Sequence, residues 1–181
     1  MAFAERYVAA VNSSNLLDDA EHHQTEALIA SALADTAGGG LGALLSRVKY
    51  ADGTVNRLFE GNPANLARLL RIWHQAVIKK GTERRWIKSN TAWDQQAAYA
   101  LYERVAYASL AHWLDGKCKP CGGTGQQARR LCTCCGGNGQ AALEGRGFER
   151  ERTLDMVSDL EALVQSHHAR ASLRLRSTAY R

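Results

Sequence analysis

Cys118-Lys-Pro-Cys121-Gly-Gly-Thr-Gly125 and Cys132-Thr-Cys-Cys135-Gly-Gly-Asn-Gly139 are two copies of C-x-x-C-x-G-x-G, and together they contain all five cysteines of a 181-residue chain. A C-x-x-C pair closes a tight turn that sets two thiols on one edge of a tetrahedron. Two pairs supply four soft ligands, the closed arrangement of a structural zinc site. The glycines that follow each pair let the chain reverse at positive φ without a Cβ clash. The spacing therefore predicts one structural Zn2+ held by Cys118, Cys121, Cys132 and Cys135. Cys134 is expected to be a spectator, because Cys135 alone keeps the two copies in register. A glycine-rich stretch of this size cannot offset its own ordering entropy, which is why it needs the metal. With four sulfur ligands no position is left for water, so zinc-assisted hydrolysis is not expected. A thioredoxin-like redox pair would show a single C-x-x-C at a strand-to-helix junction. A disulfide staple is unnecessary in a reduced compartment for a chain of this length.

The remainder reads as mainly α. Only two prolines occur, one of them inside the first cysteine pair, and Ala, Leu and Arg outweigh any β-type alternation. A first helix is expected over about 2–12. A second should run from a Ser13-Ser14 cap through Leu16, Leu17, Ala20, Ala27, Leu28 and Ala32 to Gly38-Gly39-Gly40. A third, about 41–50, should end near Asp52-Gly53. Asn62-Pro63 marks the next start. Its stripe of Leu66, Leu69, Leu70, Trp73, Ala76 and Val77 should stop at Lys79-Lys80-Gly81. Thr91 and Asp94 resemble a capping box ahead of a stripe of Trp93, Ala97, Leu101, Val105, Leu110 and Trp113. A last helix of about 148–171 carries Leu154, Val157, Leu160 and Val164. The expected organisation is a helical body over 1–116, a zinc-binding loop module over 117–140, and a helix with a basic tail over 141–181, that is, a helical bundle interrupted by a small module. The stripes are assigned to packing.

No run of about 18 apolar residues is present, so no membrane association is expected. The start MAFAERYVAAVNSSN lacks a basic region followed by an apolar one, so no signal peptide is expected and a cytoplasmic location is predicted. Charge is polarised: positions 1–62 hold four Lys/Arg against eight Asp/Glu, and 63–181 hold nineteen against ten. The basic second part points to a polyanion, nucleic acid first. Three clusters qualify. Lys79, Lys80, Arg84, Arg85 and Lys88 surround Trp86; Lys117, Lys119, Arg129 and Arg130 lie on or beside the cysteine loops; Arg170, Arg174, Arg176 and Arg181 end the chain. Each contact with a phosphate releases counterions and makes binding salt-sensitive, and arginine on a rigid support can also read guanine edges. The pairs His22-His23 and His167-His168 are expected at the surface, since adjacent helical residues point about 100° apart and cannot chelate together. His74 and His112 border apolar stripes and are expected to pack. No phosphate-binding loop, H-E-x-x-H or partnered nucleophile occurs, which predicts a non-enzymatic protein.

The doubled C-x-x-C-x-G-x-G resembles half of the cysteine-rich domain of DnaJ-type co-chaperones, which carries four copies and two zinc ions. No J-domain His-Pro-Asp is present here. The same element occurs in the Q-type late-gene antitermination proteins of lambdoid bacteriophages, which are small, basic and mostly helical. This chain is similar to them in size, charge and layout, with Ala-His-Trp-Leu-Asp-Gly-Lys leading into Cys118. The resemblance is specific for 118–139 and general elsewhere. It implies a protein that binds double-stranded DNA near a phage late promoter, loads onto bacterial RNA polymerase and promotes read-through of terminators. Two other expectations stand beside it: a zinc-stabilised, DnaJ-like protein-interaction adaptor without nucleic-acid binding, and a phage RNA-binding or replication accessory factor that prefers single strands.

Overall fold

A computed structural model describes residues 3–12, 25–36, 40–52, 63–88, 91–143 and 145–178. The expected Ser13-Ser14 cap, the Asn62 cap, the Gly38-Gly39 stop and His22-His23 lie outside them. The fold is mainly helical, with one small two-stranded sheet. Its elements are α1 (Phe3–Asn12), α2 (Thr25–Thr36), α3 (Leu41–Ser46) continued by a π-helical turn (Arg47–Asp52), α4 (Pro63–Glu83), α5 (Ala92–Asp115), a 3-10 turn (Lys119–Cys121), strands β1 (Gln126–Gln127) and β2 (Arg130–Leu131), and α6 (Gly147–Thr178). Two compact units are present: Met1–Leu69 with Glu161–Arg181, and Leu70–Leu160.

In the first unit, alanine is what allows the helices to approach. Ala10, Ala27, Ala30, Ala34 and Ala171 are buried with Phe3, Tyr7 and Leu175. His167 is fully buried, its Nε2 3.1 Å from Ser31 Oγ, and His168 Nε2 is 2.9 Å from Ser46 Oγ. A Cβ on Gly42 would lie 2.6 Å from that of His167. The surface position expected for His167-His168 is therefore corrected. Adjacent helical positions do diverge, but here each imidazole meets a different serine of the surrounding helices, so both are packed. Burial and the neighbouring His167 lower the pKa of His168, against an opposing pull from Glu161.

The second unit is built on α4, α5 and the first part of α6. Trp73 is fully buried and donates from Nε1 to Ser109 Oγ at 3.0 Å. The capping box at the start of α5 is present in both directions, Thr91 N–H to Asp94 at 3.0 Å and Asp94 N–H to the Thr91 hydroxyl at 3.2 Å. The buried face of α5 is Ala98, Leu101, Tyr102, Val105, Ala106, Ser109, Leu110 and Trp113. Trp93, expected in that stripe, is 82% exposed. Apolar residues surround α5 on nearly every side, so sequence periodicity does not fix its phase.

Gly81 does not stop α4, which runs on to Glu83. It makes room for a ring, since a Cβ there would lie 2.9 Å from Tyr102 Cδ1 and 3.0 Å from Trp86 Cε3. The helix ends instead through backbone bonds from Arg85 N–H to Thr82 at 3.1 Å and from Trp86 N–H to Gly81 at 3.0 Å. This is the Schellman pattern, with Arg85 at φ 49° in the left-handed position that glycine usually fills.

Candidate metal centre

The two cysteine copies are related position by position with an offset of fourteen, as in Cys118 with Cys132 and Cys121 with Cys135. The structure keeps that equivalence in its backbone. Cys118 N–H donates to Gly139 and Cys132 N–H to Gly125, both at 2.8 Å. Thr124 N–H donates to Cys121 at 3.1 Å and Asn138 N–H to Cys135 at 3.2 Å. The bridge Lys117–Gln140 answers the β1–β2 pair Leu131–Gln126. The glycines repeat in φ as well: 60° at Gly122 and Gly136, 88° and 92° at Gly123 and Gly137, 73° and 74° at Gly125 and Gly139. The module is thus a pseudo-twofold pair of knuckles whose glycines interlock. A side chain on Gly125 would strike the backbone of Gly137, and one on Gly139 the backbone of Gly123.

The interlock brings the thiols together. The four Sγ atoms of Cys118, Cys121, Cys132 and Cys135 all lie within 4.8 Å of one another and could hold a metal ion. Cys118 and Cys132 are separated by 3.9 Å and Cys121 and Cys135 by 3.8 Å. A tetrahedral centre with metal–sulfur bonds of about 2.3 Å has edges of about 3.8 Å, so these separations need little change on binding. Cys118, Cys121 and Cys132 are buried and Cys135 is half-buried. Burial works against the Cys121 thiolate. Backbone N–H groups of Gly125 and Gly123, with Cys118 and Cys135, outweigh it and hold that group at about 7. Burial drives Cys118 the other way, upward. The fold thus favours ionisation of the Cys121 thiol and opposes that of Cys118.

Cys134 is exposed and stands outside the four-thiol group. The fourteen-residue offset explains this: its counterpart in the first copy is Pro120, at the outward corner of the turn.

The basic residues of the module are all exposed: Lys117, Lys119, Arg129 and Arg130. Arg129 and Ala128 form the two-residue loop between β1 and β2, at φ 67° and 46°. Both values are positive, as a type I′ hairpin turn requires, although Asn-Gly is the usual sequence for it. Of the cluster around Trp86, Lys79, Arg84, Arg85 and Lys88 are exposed and Trp86 is buried. Lys80 is 2.6 Å and Arg84 3.7 Å from Asp159, whereas Lys79, Arg85 and Lys88 make no ion pair among the described residues. In the C-terminal cluster, Arg170 donates to Ala34 O at 3.3 Å and to Ser166 Oγ at 2.6 Å, and Arg174 is exposed. The Arg176 side chain and Arg181 lie outside the described residues. His112 borders a cleft with Cys134, Cys135 and Arg150, and burial lowers its pKa.

Sequence reasoning missed a second concave site, lined by Thr82, Arg85, Lys88, Gln95, Tyr99 and Tyr102 among others. Its tyrosines lie on α5 and its cations follow α4; no sequence motif joins the two.

Fold and site together define a mainly helical protein with a four-cysteine cluster able to hold a metal ion. Comparison with protein-family models, curated proteins and solved structures finds no match for this chain.

Proposed function

We propose that the chain is a DNA-binding transcription antitermination factor that loads onto bacterial RNA polymerase at a phage late promoter and promotes read-through of terminators. The observation that carries this reading is the interlocked pair of C-x-x-C-x-G-x-G knuckles, with four thiols at tetrahedral spacing and an arginine at the tip of the hairpin between them. On this reading the metal is one structural zinc, since four sulfur ligands suit that ion and leave no open position for chemistry. The protein then works by binding, not catalysis, in the host cytoplasm. Zinc fixes the loop, and the fixed loop presents Arg129 and Arg130 to phosphates or guanine edges. Lys79, Arg85 and Lys88, which make no ion pair among the described residues, add sequence-independent affinity.

The test is a footprint of the zinc-loaded protein on DNA flanking its own gene, with and without RNA polymerase holoenzyme. Protection overlapping a promoter and extended by polymerase is expected. Absence of protection at low salt, with zinc retained, sinks the proposal.

One observation favours the adaptor reading. Trp93 and Tyr107 on α5 are 82% and 66% exposed, and large exposed aromatics suit a protein partner. An adaptor would keep its partner at salt concentrations that abolish phosphate contacts.

A further inference from the structure

The cavity in the second unit has a volume of about 680 Å³, within the range of about 300 to 1,000 Å³ usual for small-molecule sites. Its wall combines three kinds of group. Arg85 and Lys88 supply positive charge, Tyr99 supplies aromatic surface over the buried Tyr102, and Gln95 supplies an amide. The Thr82 hydroxyl donates to Ile78 O at 2.8 Å and is left only as an acceptor. Tyr102 is buried and seated over Gly81, with Trp86 5.9 Å away. Tyr99 meets Tyr102 edge-on at 6.4 Å and is 59% exposed. A braced, half-exposed ring is a stacking platform. The cations beside it are set apart by their pairing: Lys80 and Arg84 meet Asp159, while Arg85 and Lys88 have no ion-pair partner among the described residues.

Arg85 adds an independent sign. It holds the left-handed position of the α4 cap at φ 49°, where glycine would be unstrained. The fold does not need an arginine there, and the strain fixes the direction in which the chain, and so the guanidinium stem, leaves the helix.

We infer that this cavity binds a nucleotide unit, with the base stacked on Tyr99, the phosphate met by Arg85 and Lys88, and Gln95 available to base or sugar edges. A base paired inside a duplex cannot reach such a platform, so the source is either a single strand or a free nucleotide. The inference deepens the DNA-binding reading by assigning it a place for an unpaired base.

The experiment uses the full chain and 2-aminopurine, whose emission falls when its ring stacks. Three probes are titrated: 2-aminopurine deoxyriboside monophosphate, an octanucleotide single strand with one central 2-aminopurine, and that strand annealed to its complement, also followed by anisotropy. Quenching of the single strand is expected. Tyr99→Ala should weaken that binding about tenfold. Arg85→Gly should weaken it by about tenfold and reduce the salt slope by about one. Because glycine suits the cap, Arg85→Gly should also raise the melting midpoint, so its lost binding cannot be ascribed to lost folding. Variant-sensitive quenching of the monophosphate means the site takes free nucleotides. Quenching confined to the strand means the source is single-stranded nucleic acid. The inference is overturned if no probe is quenched, or if quenching is unchanged in both variants. Duplex binding without any 2-aminopurine response removes the cavity and leaves the DNA reading standing. Strand quenching without duplex binding leaves the cavity standing and the DNA reading to the footprint, since an arbitrary octamer carries no promoter site, and no binding of any probe removes the cavity.

Discussion

The interlocked glycines of the cysteine module can be separated from its merely left-handed ones by a single methyl group. Gly136 and Gly139 both have positive φ, 60° and 74°, so an alanine at either pays the left-handed penalty, about 1–2 kcal/mol. Their surroundings differ. A Cβ on Gly136 meets nothing within 4 Å, whereas one on Gly139 would lie 3.0 Å from the carbonyl carbon of Gly123 and closer still to its oxygen. Those are backbone atoms, so the two knuckles themselves must part. Parting them breaks the two 2.8 Å bonds that join the copies, from Cys118 N–H to Gly139 and from Cys132 N–H to Gly125. Each lost bond costs about 1 kcal/mol, which brings the total for Gly139→Ala to about 3–4 kcal/mol against about 1–2 kcal/mol for Gly136→Ala.

Because ordering of the module and metal binding are one event on this account, the difference should appear in metal affinity. At about 1.4 kcal/mol per tenfold, Gly136→Ala should weaken binding roughly tenfold and Gly139→Ala by roughly 100- to 1,000-fold. Cobalt titration followed by sulfur-to-metal charge transfer, with zinc competing back, measures both. The fourteen-residue equivalence requires the same split between Gly122→Ala and Gly125→Ala. Equal losses for Gly136→Ala and Gly139→Ala would refute the interlock as the source of the site's geometry.

Cys118→Ser and Cys135→Ser should each abolish tight cobalt binding, while Cys134→Ser should leave the charge-transfer band and its stoichiometry unchanged; loss of metal in Cys134→Ser would show that the ligand register is wrong. Arg129→Gly should raise the stability of the metal-bound chain by up to about 1 kcal/mol in thermal melts, by relieving the left-handed turn residue, and on the proposed function should weaken DNA binding in the same preparation. The pKa of His168 is lowered in the fold from 6.5, so the folded state resists its protonation. Its contribution to stability is complete above 6.5 and is lost as pH falls below that value through the lower folded pKa. Melting midpoints measured from pH 7.5 down to 5 should therefore drop in the wild type, and drop less in His168→Gln, whose amide can still meet Ser46.

Much of the module is legible in the sequence because its rule is local. A C-x-x-C turn and its glycines need only neighbours along the chain, and repetition of the motif announces that two turns share one centre. The clustering of four thiols followed from that, and so did the capping box of Thr91 and Asp94, which is closed within four residues. What the sequence hid depends on partners far along the chain. Gly81 reads as a helix stop because glycine is a poor helix former, yet its missing side chain is space for the ring of Tyr102. His167 and His168 read as polar surface, yet Ser31 and Ser46, more than a hundred positions away, take up their nitrogens. Trp93 reads as core because α5 is apolar on nearly every side, and only packing chooses which side is covered.

The same reasoning gives weight to the places where the fold declines its cheapest residue. Among the described residues, Arg85, Ala128 and Arg129 are the non-glycine positions with positive φ, although glycine is used freely at eight others close by or elsewhere. Two of the three are arginines. One ends α4 at the rim of a cavity that holds two tyrosines, and the other tips the hairpin between the two cysteine pairs. A left-handed residue fixes the direction of its side chain more tightly than a flexible loop would, at a cost of about 1–2 kcal/mol. Where that cost is borne twice by a cation, and in each case next to a rigid support, the economical account is that the position of the charge matters more than the stability lost. Arg85→Gly and Arg129→Gly put that account at risk, because each should make the protein more stable and a poorer ligand for nucleic acid.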